Sequence, residues 1–243
     1  MNIKDIHENW TALGQDDPMW VVLTDPAKKN GGWQPEEFFA TGRGEIRDVL
    51  EKIKQAGIGL KFGRALDFGC GLGRLSQPLG EVFAVVDGVD VSASMIEKAQ
   101  AFNRLPAKVF YHLNVRTDLN TFAADSYDFI YSAICLQHIP TKFQKAYIAG
   151  FMRLLRPGGA ACFQAIHAHG WRQWVPDMAV DLYRKWKNRG KPFIPMHGVP
   201  VNQVRAIIEA GGGKVQKIVT TPYGGFESRF GHDVYFVIKS IPA

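Results

Sequence analysis

Apolar and polar positions along this chain change their period several times. Between Glu45 and Ala56, Ile46, Val49, Leu50 and Ile53 recur at helical spacing, and Gly57 can end the run. Arg64–Phe68 follows as a short apolar strand that passes straight into the glycine-rich stretch Gly69–Gly73. Phe83–Val89, Lys108–Leu113, Tyr127–Ala133 and Ala160–Ile166 have the length and β-branched or aromatic content of further buried strands. Between them, Ser92 can cap a helix with Met95, Ala99 and Phe102 on one face. Thr141 can cap another, with Phe143, Tyr147, Phe151 and Leu154 in a stripe that Pro157-Gly158-Gly159 stops. Strands alternating with helices at this spacing predict βαβ units. The sheet is then mainly parallel and covered on both faces.

The two ends have a different texture. Residues 1–43 are rich in Trp, Pro, Asp and Gly and read as a loop-like, aromatic segment. After His167, residues Trp171, Trp174, Val175, Met178, Leu182 and Trp186 line up at helical spacing, and Val201–Ala210 repeats that pattern up to Gly211–Gly213. Lys214–Thr220 and Asp233–Lys239 then predict two strands paired antiparallel at a sheet edge. The organisation expected is one domain over 1–243: an N-terminal lid at 1–43, an α/β core at 44–166, a helical insert at 167–199, and a helix with a strand pair at 200–243.

Composition adds limits. The 243 residues are 46% hydrophobic and 21% charged, as in ordinary globular chains, which argues against disorder over most of the length. No apolar run approaches the ~20 residues a membrane helix needs, and the N-terminus has no apolar signal core, so a cytoplasmic protein without a membrane partner is expected. Cys70, Cys135 and Cys162 are far apart in apolar settings and match no zinc spacing; no metal is expected. The net charge of +6 permits an anionic or RNA partner, but the basic residues are scattered. Their one cluster, Arg184–Lys191, is explained as well by a solvated helix end, so a nucleic-acid partner is not expected.

The chemistry is concentrated in Ala65-Leu-Asp-Phe-Gly-Cys-Gly-Leu-Gly-Arg-Leu75, where a buried strand ends and Gly69, Gly71 and Gly73 turn the chain toward a helix. Glycines there let the backbone approach a ligand, and the first turn of an open α/β sheet is where nucleotide-like ligands sit. Asp90 follows the second strand, where an acid can accept both hydroxyls of a ribose. Tyr127–Ile139 forms a strand running into a short loop, and Arg153–Gly159 closes the next helix. The dinucleotide fingerprint Gly-x-Gly-x-x-Gly does not fit cleanly, since its third glycine falls on Arg74 or Ser76, and hydride transfer with NAD is kept as a distant alternative.

In order and spacing these motifs resemble the class I S-adenosylmethionine-dependent methyltransferases, of the type acting on small molecules, over residues 60–166 and more loosely over 200–243. The resemblance implies a Rossmann-like, seven-stranded, mainly parallel sheet with helices on both faces and an antiparallel last strand. It implies S-adenosylmethionine as cofactor, with Asp67 near its amino group, Gly69, Cys70, Gly71, Gly73 and Arg74 around its methionine part, and Asp90 on the ribose beside Val91. Met95 would be an adenine wall or plain core. Asn114, with Val115, would be an adenine contact or an ordinary turn residue. Ile134, Leu136 and His138 would face the cofactor from the opposite side.

A sulfonium is already an activated methyl donor, so alignment is the main catalytic task, and a base is needed only where the acceptor must lose a proton. His138 and His167, at the carboxyl edge of the sheet, are the base candidates; His138 could equally shape the pocket. Trp20, Trp33, Phe39, His169, Trp171 and Tyr223 are the candidate substrate wall, with Glu36, Glu37 and Arg43 as polar groups nearby. The function expected is methyl transfer to a small molecule, at oxygen. An RNA or protein methyltransferase and a non-catalytic binder of the same cofactor are the alternatives.

Overall fold

The computed structural model describes residues 2–168, 177–189, 191–221 and 230–241. Seven strands form one sheet: β1 (Arg64–Phe68), β2 (Val85–Asp90), β3 (Val109–Leu113), β4 (Tyr127–Ser132), β5 (Leu155–Ala168), β6 (Gly213–Thr221) and β7 (Phe230–Lys239). Their order is β3-β2-β1-β4-β5-β7-β6. The first five pair in parallel, and β7 lies antiparallel between β5 and β6. This is the topology the resemblance implied. β1 and β4 sit mid-sheet and are buried nearly throughout, as strands covered on both faces must be.

The helices are α1 (Ile3–Asp16), α2 (Pro18–Val22), α3 (Pro35–Gln55), α4 (Ser76–Val82), α5 (Ala93–Ala101), α6 (Thr141–Leu154), α7 (Asp177–Lys187) and α8 (Val201–Ala210). One face of the sheet packs Leu66, Ile130 and Phe163 against Tyr147 and Phe151 of α6 and Val204 and Ile208 of α8. The other packs Ala65, Val86 and Phe129 against Ile46, Val49 and Ile53 of α3 and Leu79 of α4.

The N-terminal region departs from the loop-like reading. It is helical, and α3 begins at Pro35 rather than Glu45 and runs unbroken through residues 43 and 44. Pro35 at the first helical position is pre-organised for a helix start. Asn2 caps α1 by accepting from Asp5 N at 2.8 Å, while the Asp5 side chain returns a bond to Asn2 N. Ser92 caps α5 as expected, accepting from Met95 N at 3.3 Å. Thr141 does not cap α6; Pro140 holds that position. β5 also starts at Leu155, before the Pro157-Gly158-Gly159 turn signal, because Tyr127 pairs with Leu155 across a bulge.

Within the sheet, Asp87 of β2 ties its own strand to β1, β3 and β4. It accepts from Arg64 Nε at 2.7 Å and Tyr127 Oη at 2.9 Å, and its other oxygen meets His112 Nε2 at 2.7 Å. Burial pushes its carboxyl up, but His112 and Arg64 together pull it below the usual carboxylate range. Asp87→Ala strands these donors and is expected to cost about 3 kcal/mol, the low end for a broken buried pair because Arg64 and His112 are partly wet. Thermal unfolding should show a drop on the order of 6–12 °C. Because the folded-state pKa is depressed, the contribution is complete above the unfolded carboxylate pKa and is lost as pH falls below it. The gap between Asp87→Ala and wild type should therefore narrow in acid; a constant gap would refute the ionic account.

Candidate active site

The carboxyl ends of β1, β2 and β4 open into one cavity. Its floor is the turn after β1. There Gly69 (φ 78°) and Gly71 (φ 51°) adopt the left-handed region. A Cβ on Gly69 would collide with Cys135 Sγ, and one on Gly71 would lie 2.7 Å from Val22 Cγ2, so neither position accepts a side chain. Asp90 holds the turn in place: Oδ2 accepts from Gly71 N at 2.9 Å and Oδ1 from Ser92 N at 2.8 Å. Burial pushes this carboxyl up, and the Ser92, Gly71 and Val91 amides oppose the shift. Asp90 lines the cavity, and a carboxylate has more acceptor sites than these amides fill.

Behind the turn lies a buried polar cluster. Arg74, 3% exposed, pairs with Glu45 Oε2 at 2.8 Å, while Tyr131 Oη donates to Glu45 Oε1 at 2.8 Å. Arg74 Nη1 donates to Thr41 Oγ1 at 3.3 Å, but its Nε has no partner. Asp67 accepts from Ser76 Oγ at 2.6 Å through Oδ2, and its Oδ1 is likewise orphaned. Burial pushes Asp67 up to about 7, against the pull of Ser76 and Arg74. Unpaired buried polar atoms cost free energy, and a ligand offering complementary groups recovers it.

The opposite wall comes from the loop after β4. Ile134 has φ 53°, an uncommon conformation for a β-branched residue. Gln164 of β5 holds it there: its Oε1 accepts from Ile134 N at 3.0 Å. The loop then places His138 on the cavity wall with its Nδ1 2.7 Å from the Pro195 carbonyl. A carbonyl only accepts, so Nδ1 carries the proton, and in the neutral ring Nε2 presents a lone pair. Burial lowers the His138 pKa to about 4; the Pro195 bond opposes this, and His197, His232 and Arg184 add to it. The ring is neutral at pH 7. Trp10 covers it at a centroid distance of 5.3 Å.

Of the residues singled out in the sequence, Gly69, Cys70, Gly71, Arg74, Asp90, Val91, Met95, Asn114, Ile134 and His138 line this cavity together. Others go elsewhere. Gly73 packs against the Tyr111 hydroxyl, Asp67 lies behind the turn, Leu136 is wholly buried in the core and Val115 points outward, 46% exposed. Asn114 reaches the wall, but its side-chain amide is bonded within its own turn, to Asp118 O and Arg116 N.

The described members of the aromatic wall expected from the sequence lie apart from this cavity. Trp33 and Phe39 are buried in a cluster with Phe38, Leu72 and Met95, and the Trp33 indole donates to Leu23 O. The Trp20 indole donates to Asp25 O. None of the three lines the cavity, because aromatics spaced along helices bury one another first. Glu37 pairs with Lys28 and Glu36 with Arg104 on the surface, and Arg43 faces a separate groove. His167 pairs with Gly231 in the sheet. Its side chain, together with His169, Trp171 and Tyr223, lies outside the described residues.

The walls that the sequence did not single out are Ile3, Ile6 and Trp10 of α1, Val21 and Val22 of α2, and Cys135, Ile139 and Tyr147. Ile3, Ile6 and Trp10 recur at helical spacing, which was the available signal.

Residues 65–159 match the family described as methyltransferase domain. A ubiquinone biosynthesis O-methyltransferase of Bordetella avium (strain 197N) is 28% identical over 136 residues, 56% of each chain. One from Coxiella burnetii (strain Dugway 5J108-111) is 31% identical over 122 residues, 50% of this chain and 51% of the relative. The chain thus spans about half the length of the curated relatives it matches. Among solved structures, magnesium protoporphyrin IX methyltransferase from Synechocystis PCC 6803 with bound SAH superposes with a TM-score of 0.64 at 18% identity, covering 98% of this chain and 99% of that one. A SAM-dependent methyltransferase from Methanosarcina mazei gives 0.58 at 18% identity, covering 80% and 98%.

Proposed function

We propose, from the premise that this chain is by domain and topology a class I S-adenosylmethionine-dependent methyltransferase, that it methylates an acidic hydroxyl on a flat, apolar small molecule. The cavity suits the cofactor by its own chemistry. It offers a side-chain-free turn, a carboxylate with spare lone pairs at the end of β2, and a buried guanidinium N–H without a partner. Asp90 would accept the ribose hydroxyls, Val91 and Met95 would flank the adenine, and Arg74 would take the carboxylate end. When bound, the cofactor supplies a methyl group activated on a sulfonium.

The observation that carries the acceptor assignment is His138. Its Nδ1–H is fixed on Pro195 O, which leaves Nε2 as the proton acceptor of a residue that lines the cavity together with Ile3, Ile6, Trp10 and Ile139. A base whose conjugate acid is this acidic matches a phenol or enol far better than an aliphatic alcohol. The apolar surround excludes water and orients the ring, and orientation contributes several kcal/mol to such a transfer. That the similar curated proteins are named O-methyltransferases supports oxygen as the nucleophile.

The test is calorimetric titration with S-adenosylmethionine and its demethylated product, followed by a panel of phenolic and aliphatic acceptors read by mass. Binding of both, with methylation confined to the phenolic members, is the expected result. No binding of either by the wild-type chain would overturn the cofactor reading. Preferred methylation of amines or aliphatic alcohols would overturn the acceptor class.

A further inference from the structure

Several hydrogen bonds dock α1 on the end of β2 and on α5. His7 Nδ1 lies 2.6 Å from Val91 O, Ser92 Oγ donates to Trp10 O at 3.2 Å, Ser94 Oγ donates to Thr11 O at 2.8 Å and Ala93 N donates to Thr11 Oγ1 at 3.3 Å. A further contact goes the other way. Asn9 Nδ2 donates to Phe193 O at 2.9 Å, and Phe193 N donates back to Asn9 Oδ1 at 3.0 Å. The side-chain amide pairs with the main chain of Phe193 as a neighbouring strand would, a geometry that few other side chains can reproduce.

Phe193 is two residues ahead of Pro195, whose carbonyl fixes the His138 tautomer. On its far side this segment is anchored firmly. His197 N donates to Gln137 O at 2.7 Å, Val199 N donates to Ile166 O at 2.9 Å, and Gln144 Nε2 reaches His197 O at 3.1 Å. Arg184 Nη1 also donates to Met196 O at 3.3 Å, and among the described residues the Asn9 pair joins the segment to α1. We infer that Asn9 is a positioning residue: it couples α1 to the 193–195 segment, so that His138 is held as the Nδ1–H tautomer only while α1 lies across the cavity. The inference rests on the reading of His138 as the base.

The consequence is an order of events. Ile3, Ile6, Trp10, Val21 and Val22 close one side of the cavity, so on this proposal α1 moves outward to admit a ligand of adenosyl size. While α1 is displaced, Asn9 leaves Phe193, Trp10 leaves the His138 ring, and the base loses both its fixed tautomer and its dry cover. Return of α1 restores the two together. Trp10 and Asn9 are adjacent in one helix, so neither contact re-forms alone.

The experiment is ¹⁵N NMR of chain labelled at histidine, with His138→Gln to assign the His138 signals, in the presence of S-adenosylhomocysteine. Wild type should show one neutral tautomer with the proton on Nδ1. Asn9→Ala should average the two nitrogens toward a mixture, while calorimetry still detects S-adenosylhomocysteine. Asn9→Asp, which keeps the acceptor for Phe193 N but loses the donor, should fall between the two. Unchanged His138 signals in Asn9→Ala would overturn the coupling. Failure of wild type to bind S-adenosylhomocysteine would instead overturn the functional reading, so the two failures are distinct. Were Asn9→Ala to misfold, Asn9→Asp alone decides: wild-type tautomer signals refute the coupling, and partial averaging supports it.

Discussion

His138→Gln should lower turnover with a phenolic acceptor by roughly 10²–10⁴, the range contributed by a positioned general base. Affinity for S-adenosylhomocysteine should stay within a few-fold, because glutamine keeps the shape of the wall without offering a basic nitrogen. The pH profile carries the finer test. Burial holds the folded-state pKa of His138 at about 4, and the base works in its neutral form. Wild-type turnover should therefore stay level from neutral pH down to about 5 and fall only below that, whereas an ordinary histidine would fail near 6.5. The same depression makes stability decline as pH drops from the unfolded value toward the folded one, since the unfolded chain takes up the proton first. Turnover that survives His138→Gln unchanged would show that the acceptor loses its proton without this residue.

The second large effect is expected at Asp90. Its two oxygens hold Gly71 N and Ser92 N, and with their remaining lone pairs they would accept a ribose diol. Hydrogen bonds to a charged group contribute about 1.5–3 kcal/mol each, so loss of two puts the weakening of S-adenosylhomocysteine binding by Asp90→Ala at roughly 10²–10⁴. The variant also leaves two turn amides unpaired, which loosens the floor of the cavity. Asp90→Asn separates the contributions: it retains one acceptor and should lie between wild type and alanine. Calorimetry on the three chains decides it, and equal affinities would place the diol elsewhere.

The strands could be read from the sequence because each is a short apolar run bounded by turn residues, and the sheet they build is what the resemblance carried by Gly69–Gly73 and Asp90 implied. Seven strands, the β7 insertion and helix Val201–Ala210 match the expectation. The N-terminal segment, residues 1–43, was harder. Its Pro, Gly and Asp residues read as loop signals, yet Pro18 and Pro35 each sit at a helix start, where proline is tolerated. Cofactor-side residues were legible because local sequence builds the turn. Trp10 and Asn9 were not, because their partners His138 and Phe193 are brought to them only by the fold. Trp20, Trp33 and Phe39 pack in a small core away from the cavity, for clustering aromatics mark a core as readily as a ligand wall.

The placement of α1 also shapes how the molecule comes into being. His7 finds its partner 84 residues later in the chain, and Asn9 finds Phe193 184 residues later. At a synthesis rate of roughly 5–20 residues per second, α1 emerges from the ribosome some 10–40 s before Phe193, the partner of its Asn9. During that interval α1 and its apolar stripe of Ile3, Ile6 and Trp10 lack that partner, and an isolated 14-residue helix is marginal in water. A helix translated well before its partners is thus among the last to settle. Nascent chains halted before Val91 should offer that stripe to chaperones, whereas full-length chains have already folded it away.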